Sequence, residues 1–80
     1  MDRAHMVDEI LGMVAQIASI DRAAIRADMP LMGKEIGVDS LALMRLLVRV
    51  DERFPGKLQG KDPSSIDFST VDSLVDSLEK

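Results

Sequence analysis

Apolar residues recur at three- and four-residue steps in three separate stretches of this chain, and no stretch alternates like a half-buried β-strand. Each stretch therefore predicts an amphipathic α-helix. Three such helices in 80 residues predict an all-α fold, a small bundle of three to four helices with a long loop between the first two main helices. We expect residues 1–80 to form a single domain. The predicted helices run from about Arg3 to Ser19, from Ser40 to about Phe54, and from about Thr70 to Glu79.

Capping and breaker residues set the ends of these helices. Asp2 suits the N-cap of the first helix, and either Ser69 or Thr70 suits that of the third. The Asp39-Ser40 pair begins the second helix, and Pro55-Gly56 ends it.

Two connections join the predicted helices. Residues 20–39 are long for a loop in a compact domain, which usually indicates function or a missed element, and a short helical turn fits near Arg22–Arg26. The second connection allows another short turn after Asp62-Pro63. We expect isolated apolar residues to hold both connections against the core: Ile25, Leu31 and Ile36 in the first, Ile66 and Phe68 in the second.

The second helix carries two apolar faces. At about 100° per residue from Ser40, one face lies between about 240° and 340° and fits core packing. Its members are Leu43, Leu46, Leu47, Val50 and Phe54. The other face lies between about 40° and 100° and holds Leu41, Met44 and Val48. Either the long loop or a later helix covers this second stripe, or it is a docking surface for partner proteins.

Composition excludes several classes of protein. With no Cys and a single His, the chain has no disulfide, no thiolate nucleophile and no Cys/His metal site. Its longest apolar run, Leu41 to Met44, is far shorter than the ~20 residues that span a bilayer, and no secretion signal is evident, so we expect a cytoplasmic protein without a membrane partner. The net charge of −4 and the lack of Trp and Tyr argue against nucleic-acid binding.

The most distinctive motif is Gly37-Val38-Asp39-Ser40-Leu41, which places a serine hydroxyl where a loop becomes a helix. Serine is a common N-cap, so a purely structural role for Ser40 is one interpretation. The alternative is an attachment point, because the N–H groups and dipole at a helix N-terminus favour a bound phosphate.

In this setting the motif resembles that of the acyl carrier protein superfamily, which includes polyketide and peptidyl carrier domains. The likeness covers nearly the whole chain. The segments that carry it are Pro30-Leu31 with Ile36-Gly37-Val38-Asp39-Ser40-Leu41, the helix positions Leu43, Leu46, Leu47 and Val50, and Phe68 through Leu78.

The resemblance implies a carrier that catalyses nothing itself. A phosphopantetheinyl transferase would attach 4′-phosphopantetheine from coenzyme A to Ser40, with Asp39 and Leu41 flanking the site. A ligase or acyltransferase would load the arm's thiol with an acyl or aminoacyl group, and downstream synthase enzymes would use it; we expect the carrier to be a monomer. The partner-binding residues implied are Leu41, Met44 and Val48, with Arg45 and Arg49 at their edge.

One departure from the fatty-acid carriers bears on the choice of partners. Those carriers have acidic residues along the second helix, whereas Ala42 and Arg45 stand in the corresponding places here. Residues 40–61 carry a net charge of +3 in an otherwise acidic chain, and Arg45, Arg49 and Arg53 form a ladder that drifts by about 40° per step. The ladder is either a solvated face partly neutralised by Asp51 and Glu52, or a device that rejects basic enzymes and favours polyketide or nonribosomal peptide partners.

Two other groups of residues are weaker candidates for a functional site. His5, Asp39 and Ser40 lack the spacing of a hydrolytic triad. The four aspartates at 62, 67, 72 and 76 lack the pattern of a calcium loop and are expected to form a solvated acidic face. The competing hypothesis for the whole chain is an unmodified helical protein–protein interaction module in which Ser40 is only a cap.

Overall fold

The computed structural model describes residues 2–79 and confirms the all-α prediction. Within these residues there are three α-helices, two short 3₁₀ turns and no strand. Helix α1 packs against both α2 and α3. The helices are α1 (Arg3–Ala18), α2 (Ser40–Arg53) and α3 (Val71–Glu79), and the 3₁₀ turns are Arg22–Ala24 and Pro63–Ser65.

Side chains and backbone geometry set the ends of α1. The Asp2 carboxylate accepts a hydrogen bond from the backbone N–H of His5 at 2.8 Å, as its predicted N-cap role requires. At the other end Ser19 adopts a left-handed conformation with φ 57° and bonds back to the carbonyls of the last turn. Helix α1 therefore ends at Ala18, one residue before the predicted end.

Helix α3 begins at Val71, and the choice between two predicted caps is decided in favour of Thr70. Its Oγ1 accepts a hydrogen bond from the N–H of Ser73 at 3.0 Å, the N3 position that an N-cap serves. Ser69 instead donates its N–H to the Asp67 carboxylate. The helix thus starts one residue later than predicted.

A single apolar core lies between the three helices. As predicted, Ile25, Leu31 and Ile36 of the first loop are buried, while Ile66 and Phe68 are partly buried against the same core. Leu47 is an exception, since it is only half-buried and lines a surface groove with Leu58. Its prediction as a core residue was wrong, because the segment after α2 does not close over it. The most deeply buried side chains are Met6, Ile10, Val14, Leu31, Leu46, Val50, Val71, Leu74 and Val75.

Backbone hydrogen bonds tie the long first loop to the starts of both later helices. The N–H of Leu31 bonds the carbonyl of Ser69, just before α3, and its carbonyl accepts from the N–H of Val38, just before α2, both at 2.9 Å. The N–H of Asp72 also bonds the carbonyl of Ala27. The loop is therefore an ordered part of the fold that positions the start of α2.

Arg3 links α1 to α3. Its guanidinium lies 2.6 Å from both the Asp76 and the Glu79 carboxylates of α3. The hydrogen bonds that Arg3 donates to Glu79 and, to a smaller extent, to Asp76 raise its pKa above the ordinary value. Asp72 also lies 3.7 Å from Arg3. Two of the four aspartates of the expected acidic face, Asp72 and Asp76, are therefore paired with Arg3.

Candidate functional site

The cap of α2 is Asp39 and not Ser40. The Asp39 carboxylate accepts a hydrogen bond from the N–H of Ala42 at 2.8 Å, and its carbonyl accepts from the N–H of Leu43 at 2.9 Å. Ser40 is the first residue of the helix. The interpretation of Ser40 as an N-cap is therefore wrong, because its neighbour already fills that role.

Gly37 shapes the approach to this cap. It has a φ of 74°, a left-handed conformation that a residue with a side chain adopts only at a cost of about 1–2 kcal/mol. Its N–H bonds the carbonyl of Gly33 at 2.8 Å, which closes the turn, and the next residue, Val38, is buried. From the sequence Gly37 was noted only as a member of the motif that precedes α2. Its position just before a buried residue and a cap is the signal that identifies this role.

The Ser40 side chain is exposed. Among residues 2–79 no group hydrogen-bonds its hydroxyl, and the N–H groups of Ser40 and Leu41 also have no acceptor. Exposure is the condition that an attachment point must meet, since an enzyme has to reach the oxygen. The two free N–H groups fit a phosphate ester there, because they point out of a helix N-terminus.

The second apolar stripe of α2 lies next to Ser40 and faces outward. Leu41, Met44 and Val48 are 61%, 65% and 59% exposed. The interpretation that the long loop or a later helix covers the stripe is therefore wrong for residues 2–79. We call these three residues the outer stripe. Three large apolar side chains at successive turns of one helix are typical of an interaction surface.

The arginine ladder does not present one continuous face. Arg53 donates to the Glu9 carboxylate of α1 at 3.0 Å and lies 4.9 Å from the centre of the Phe54 ring. Arg49 donates to the side-chain oxygen of Gln16, also on α1, at 2.8 Å. Arg45 has no ion pair or hydrogen bond with any of residues 2–79. Two members of the ladder thus join α1 to α2, and one is free.

The acidic residues expected to neutralise the ladder are not its partners. Neither Asp51 nor Glu52 lies within ion-pairing distance of an arginine among residues 2–79, and Arg53 pairs with Glu9 instead. Charges counted along one helix therefore did not identify the partners that α1 supplies, which are Glu9 for Arg53 and Gln16 for Arg49.

Within residues 2–79, the structure supports neither the hydrolytic triad nor a metal site. His5 lies 3.3 Å from Glu9 and 3.4 Å from Arg53, at the end of α2 opposite Ser40, so no triad forms. In the described part of the chain, no group of three or more acidic or His side chains is placed to hold a metal ion. None of the described helices has the length and apolar character needed to cross a membrane.

Comparison with known proteins identifies the family to which this chain belongs. A family model described as "Phosphopantetheine attachment site" matches residues 8–78, which include all of α2 and the approach to it. Searches of curated proteins and of solved structures found no significant match. Members of this family are non-catalytic carriers that hold 4′-phosphopantetheine covalently on a serine. Because the match spans most of the 80 residues, the chain belongs to the phosphopantetheine attachment site family and is a phosphopantetheine carrier protein.

Proposed function

We propose that Ser40 is the serine that carries the phosphopantetheine arm, within a single carrier domain. The observation that carries this proposal is an exposed hydroxyl without a hydrogen bond, next to two free N–H groups at the start of α2. Asp39 supports it as well, because its carboxylate is held by the N–H of Ala42 and so caps the helix without blocking the serine. When bound, the arm supplies a thiol that holds cargo as a thioester.

The outer stripe is the surface on which the transferase and the later enzymes dock. Its apolar side chains lie within about two turns of Ser40, so an enzyme that contacts them also reaches the attachment point. Met44 adds a flexible side chain that adapts to different partners. Asp39 and Leu41 flank the serine, and Arg45 and Arg49 border the stripe.

The pathway we propose is polyketide or nonribosomal peptide synthesis. The support is the charge of α2, where Ala42 and Arg45 occupy positions that are acidic in fatty-acid carriers. Enzymes that dock on acidic carriers present basic surfaces, and like charges across an interface are unfavourable. The partners would then be a ligase or acyltransferase that loads the thiol and the synthase enzymes that use its cargo.

Intact-mass measurement tests the attachment site. The protein is co-expressed with a broad-specificity phosphopantetheinyl transferase, as wild type and as Ser40→Ala. We expect wild type to gain the mass of one phosphopantetheine group and Ser40→Ala to gain none. Ser65→Ala is the matched control, since Ser65 is also exposed but its hydroxyl donates to the carbonyl of Asp62, and it should be modified like wild type.

The same experiment separates the carrier from an unmodified interaction module. A module would keep its unmodified mass with every transferase tried, while the outer stripe would still bind a partner. A wild type that never gains the cofactor, or a Ser40→Ala variant that does, would contradict the assignment. Loading of the holo-protein by amino-acid ligases and by acyltransferases, compared under one set of conditions, then distinguishes the two pathways.

A further inference from the structure

The methionines among residues 2–79 differ sharply in exposure. Met6 and Met29 are 2% and 5% exposed, and the sulfur of Met29 also accepts a backbone hydrogen bond at 3.1 Å. Met13 is partly buried against the core. Met44 and Met32 are 65% and 57% exposed. Reagents in solution therefore reach Met44 and Met32 more readily than the other three.

Oxidation of the thioether is the chemistry that this exposure allows. The chain has no Cys, Trp or Tyr, so its methionines are the side chains that a hydroperoxide oxidises most readily. A sulfur lone pair attacks one peroxide oxygen, and an S–O bond forms as the O–O bond breaks. The proton of the new S–OH group passes to the departing hydroxide, which leaves as water. The sulfur loses two electrons, and a methionine sulfoxide reductase with a dithiol as reductant returns them and releases the oxygen as water.

Met44 occupies a more consequential place than Met32. It is the middle residue of the outer stripe, and at four residues and about 40° from Ser40 it lies on the next turn of the same side of α2. Met32 lies in the long first loop and lines a depression without a charged side chain. Oxidation at Met44 therefore changes the outer stripe itself, whereas oxidation at Met32 does not.

A free cation lies beside Met44. Arg45 lines the same depression as Met44 and Val48, and it is the one arginine without an ion pair or a hydrogen bond among residues 2–79. Arg49, which also lines this depression, is already held by Gln16. A thioether is a weak acceptor and the polar sulfoxide oxygen is a better one, so oxidation gives the free guanidinium a partner.

We propose that Met44 is an oxidation site that controls attachment of the arm: its sulfoxide, hydrogen-bonded by Arg45, closes the outer stripe to the phosphopantetheinyl transferase. The inference rests on the proposed function, because it takes the outer stripe as the surface on which that enzyme docks. The control acts on the apo-protein, since after attachment the thiol of the arm also reacts with the oxidant.

The physical reason is the cost of removing a polar group from water. Reduced Met44 offers the enzyme an adaptable apolar contact. The sulfoxide, together with the guanidinium drawn over the stripe, has to lose water when the enzyme docks. A surface that fits apolar side chains supplies no hydrogen bonds in exchange, so docking becomes weaker.

Peroxide treatment of the apo-protein tests the inference. Wild type, Met44→Leu and Met32→Leu are treated with hydrogen peroxide, freed of it, and then given coenzyme A and the transferase. Peptide mass locates the added oxygen, and intact mass follows attachment of the arm. The treatment is stopped while Met6 and Met29 are still unmodified.

We expect Met44 to gain oxygen at least about tenfold faster than Met6 and Met29. Oxidised wild type and oxidised Met32→Leu should gain the arm about tenfold more slowly than their untreated forms. Oxidised Met44→Leu should stay within about twofold of its own untreated rate, because the sulfur is gone from the outer stripe.

Two further measurements separate this control from general damage. Methionine sulfoxide reductase should restore the rate of oxidised wild type, and the Tm should be the same before and after treatment, because neither exposed methionine belongs to the core. In Arg45→Ala, which keeps the sulfoxide and removes its donor, the ratio of untreated to oxidised rates should fall to about threefold.

Oxidation of Met6 or Met29 as fast as that of Met44 would overturn the inference, and so would an equal loss of rate in Met44→Leu and wild type. An unchanged rate in oxidised wild type would overturn it while leaving Ser40 as the attachment point. An equal ratio in Arg45→Ala and wild type would overturn the role of Arg45. An untreated wild type that never gains the cofactor overturns the proposed function instead, and the mass map of oxidation is read independently of that result.

Discussion

The two apolar faces of α2 have similar chemistry and opposite surroundings. On the inner face Leu46 is 1% exposed, within a core built from all three helices and the long loop. On the outer stripe Met44, two residues earlier in the chain, is 65% exposed. Apolar periodicity therefore identifies a helix face that favours burial. It does not show whether the rest of the chain or a partner protein covers that face.

The largest expected effect on stability comes from a substitution on the inner face. Leu46→Ala should lower the free energy of unfolding by about 2–5 kcal/mol, because it leaves a cavity in a filled core. Met44→Ala should change it by less than about 0.5 kcal/mol, since that side chain is in water before and after folding. Urea unfolding followed by far-UV circular dichroism measures both.

A loss of this size is a large part of the roughly 5–15 kcal/mol that stabilises a folded domain. If Leu46→Ala does not fold, Leu46→Met keeps the comparison measurable, with an expected loss below about 1.5 kcal/mol. Equal losses at Leu46 and Met44 would mean that the outer stripe is covered in the free protein, contrary to its exposure.

An intermediate effect distinguishes the structural roles of Asp39 and Ser40. Asp39→Ala should lower the free energy of unfolding by about 1 kcal/mol, because the N–H of Ala42 loses its acceptor. Ser40→Ala should change it by less than about 0.5 kcal/mol, because the hydroxyl makes no hydrogen bond within residues 2–79. The same urea titration measures both variants. A loss at Ser40→Ala as large as that at Asp39→Ala would restore Ser40 as the cap.

The smallest expected effect on stability distinguishes a paired arginine from an unpaired one. Arg3→Ala should lower the Tm at low ionic strength and have less effect in high salt, because exposed ion pairs are screened. Arg45→Ala should leave the Tm unchanged in both conditions. Scanning calorimetry of the two variants tests this, and a salt-dependent loss at Arg45 would reveal a partner within the chain.

The raised pKa of Arg3 fixes the sign of its pH dependence. A cation whose pKa is higher in the folded state stabilises the fold fully below its unfolded pKa, and this contribution is lost as the pH rises through the folded pKa. Both lie far above neutrality, so we expect no change in the contribution of Arg3 to the Tm through its own titration between about pH 5 and 9.

Local patterns were sufficient to predict much of the fold. The three helices, the N-cap at Asp2 and the buried positions Ile25, Leu31 and Ile36 follow from residue spacing and capping chemistry, which depend on near neighbours in sequence. The errors fell where two elements meet. Leu47 stays half-buried because, within residues 2–79, the segment after α2 does not close over it. Arg53 pairs with Glu9, which is far away in sequence.

By itself, the sequence determined that this protein is a small helical bundle and that a serine motif stands at the start of its second helix. The tertiary structure decided that Asp39 caps that helix, that the outer stripe is left uncovered, and that Arg45 alone among the arginines lacks a partner within residues 2–79. The physical reason is range. Periodicity and helix propensity act over a few residues, whereas burial and ion pairing depend on which distant segments are brought together.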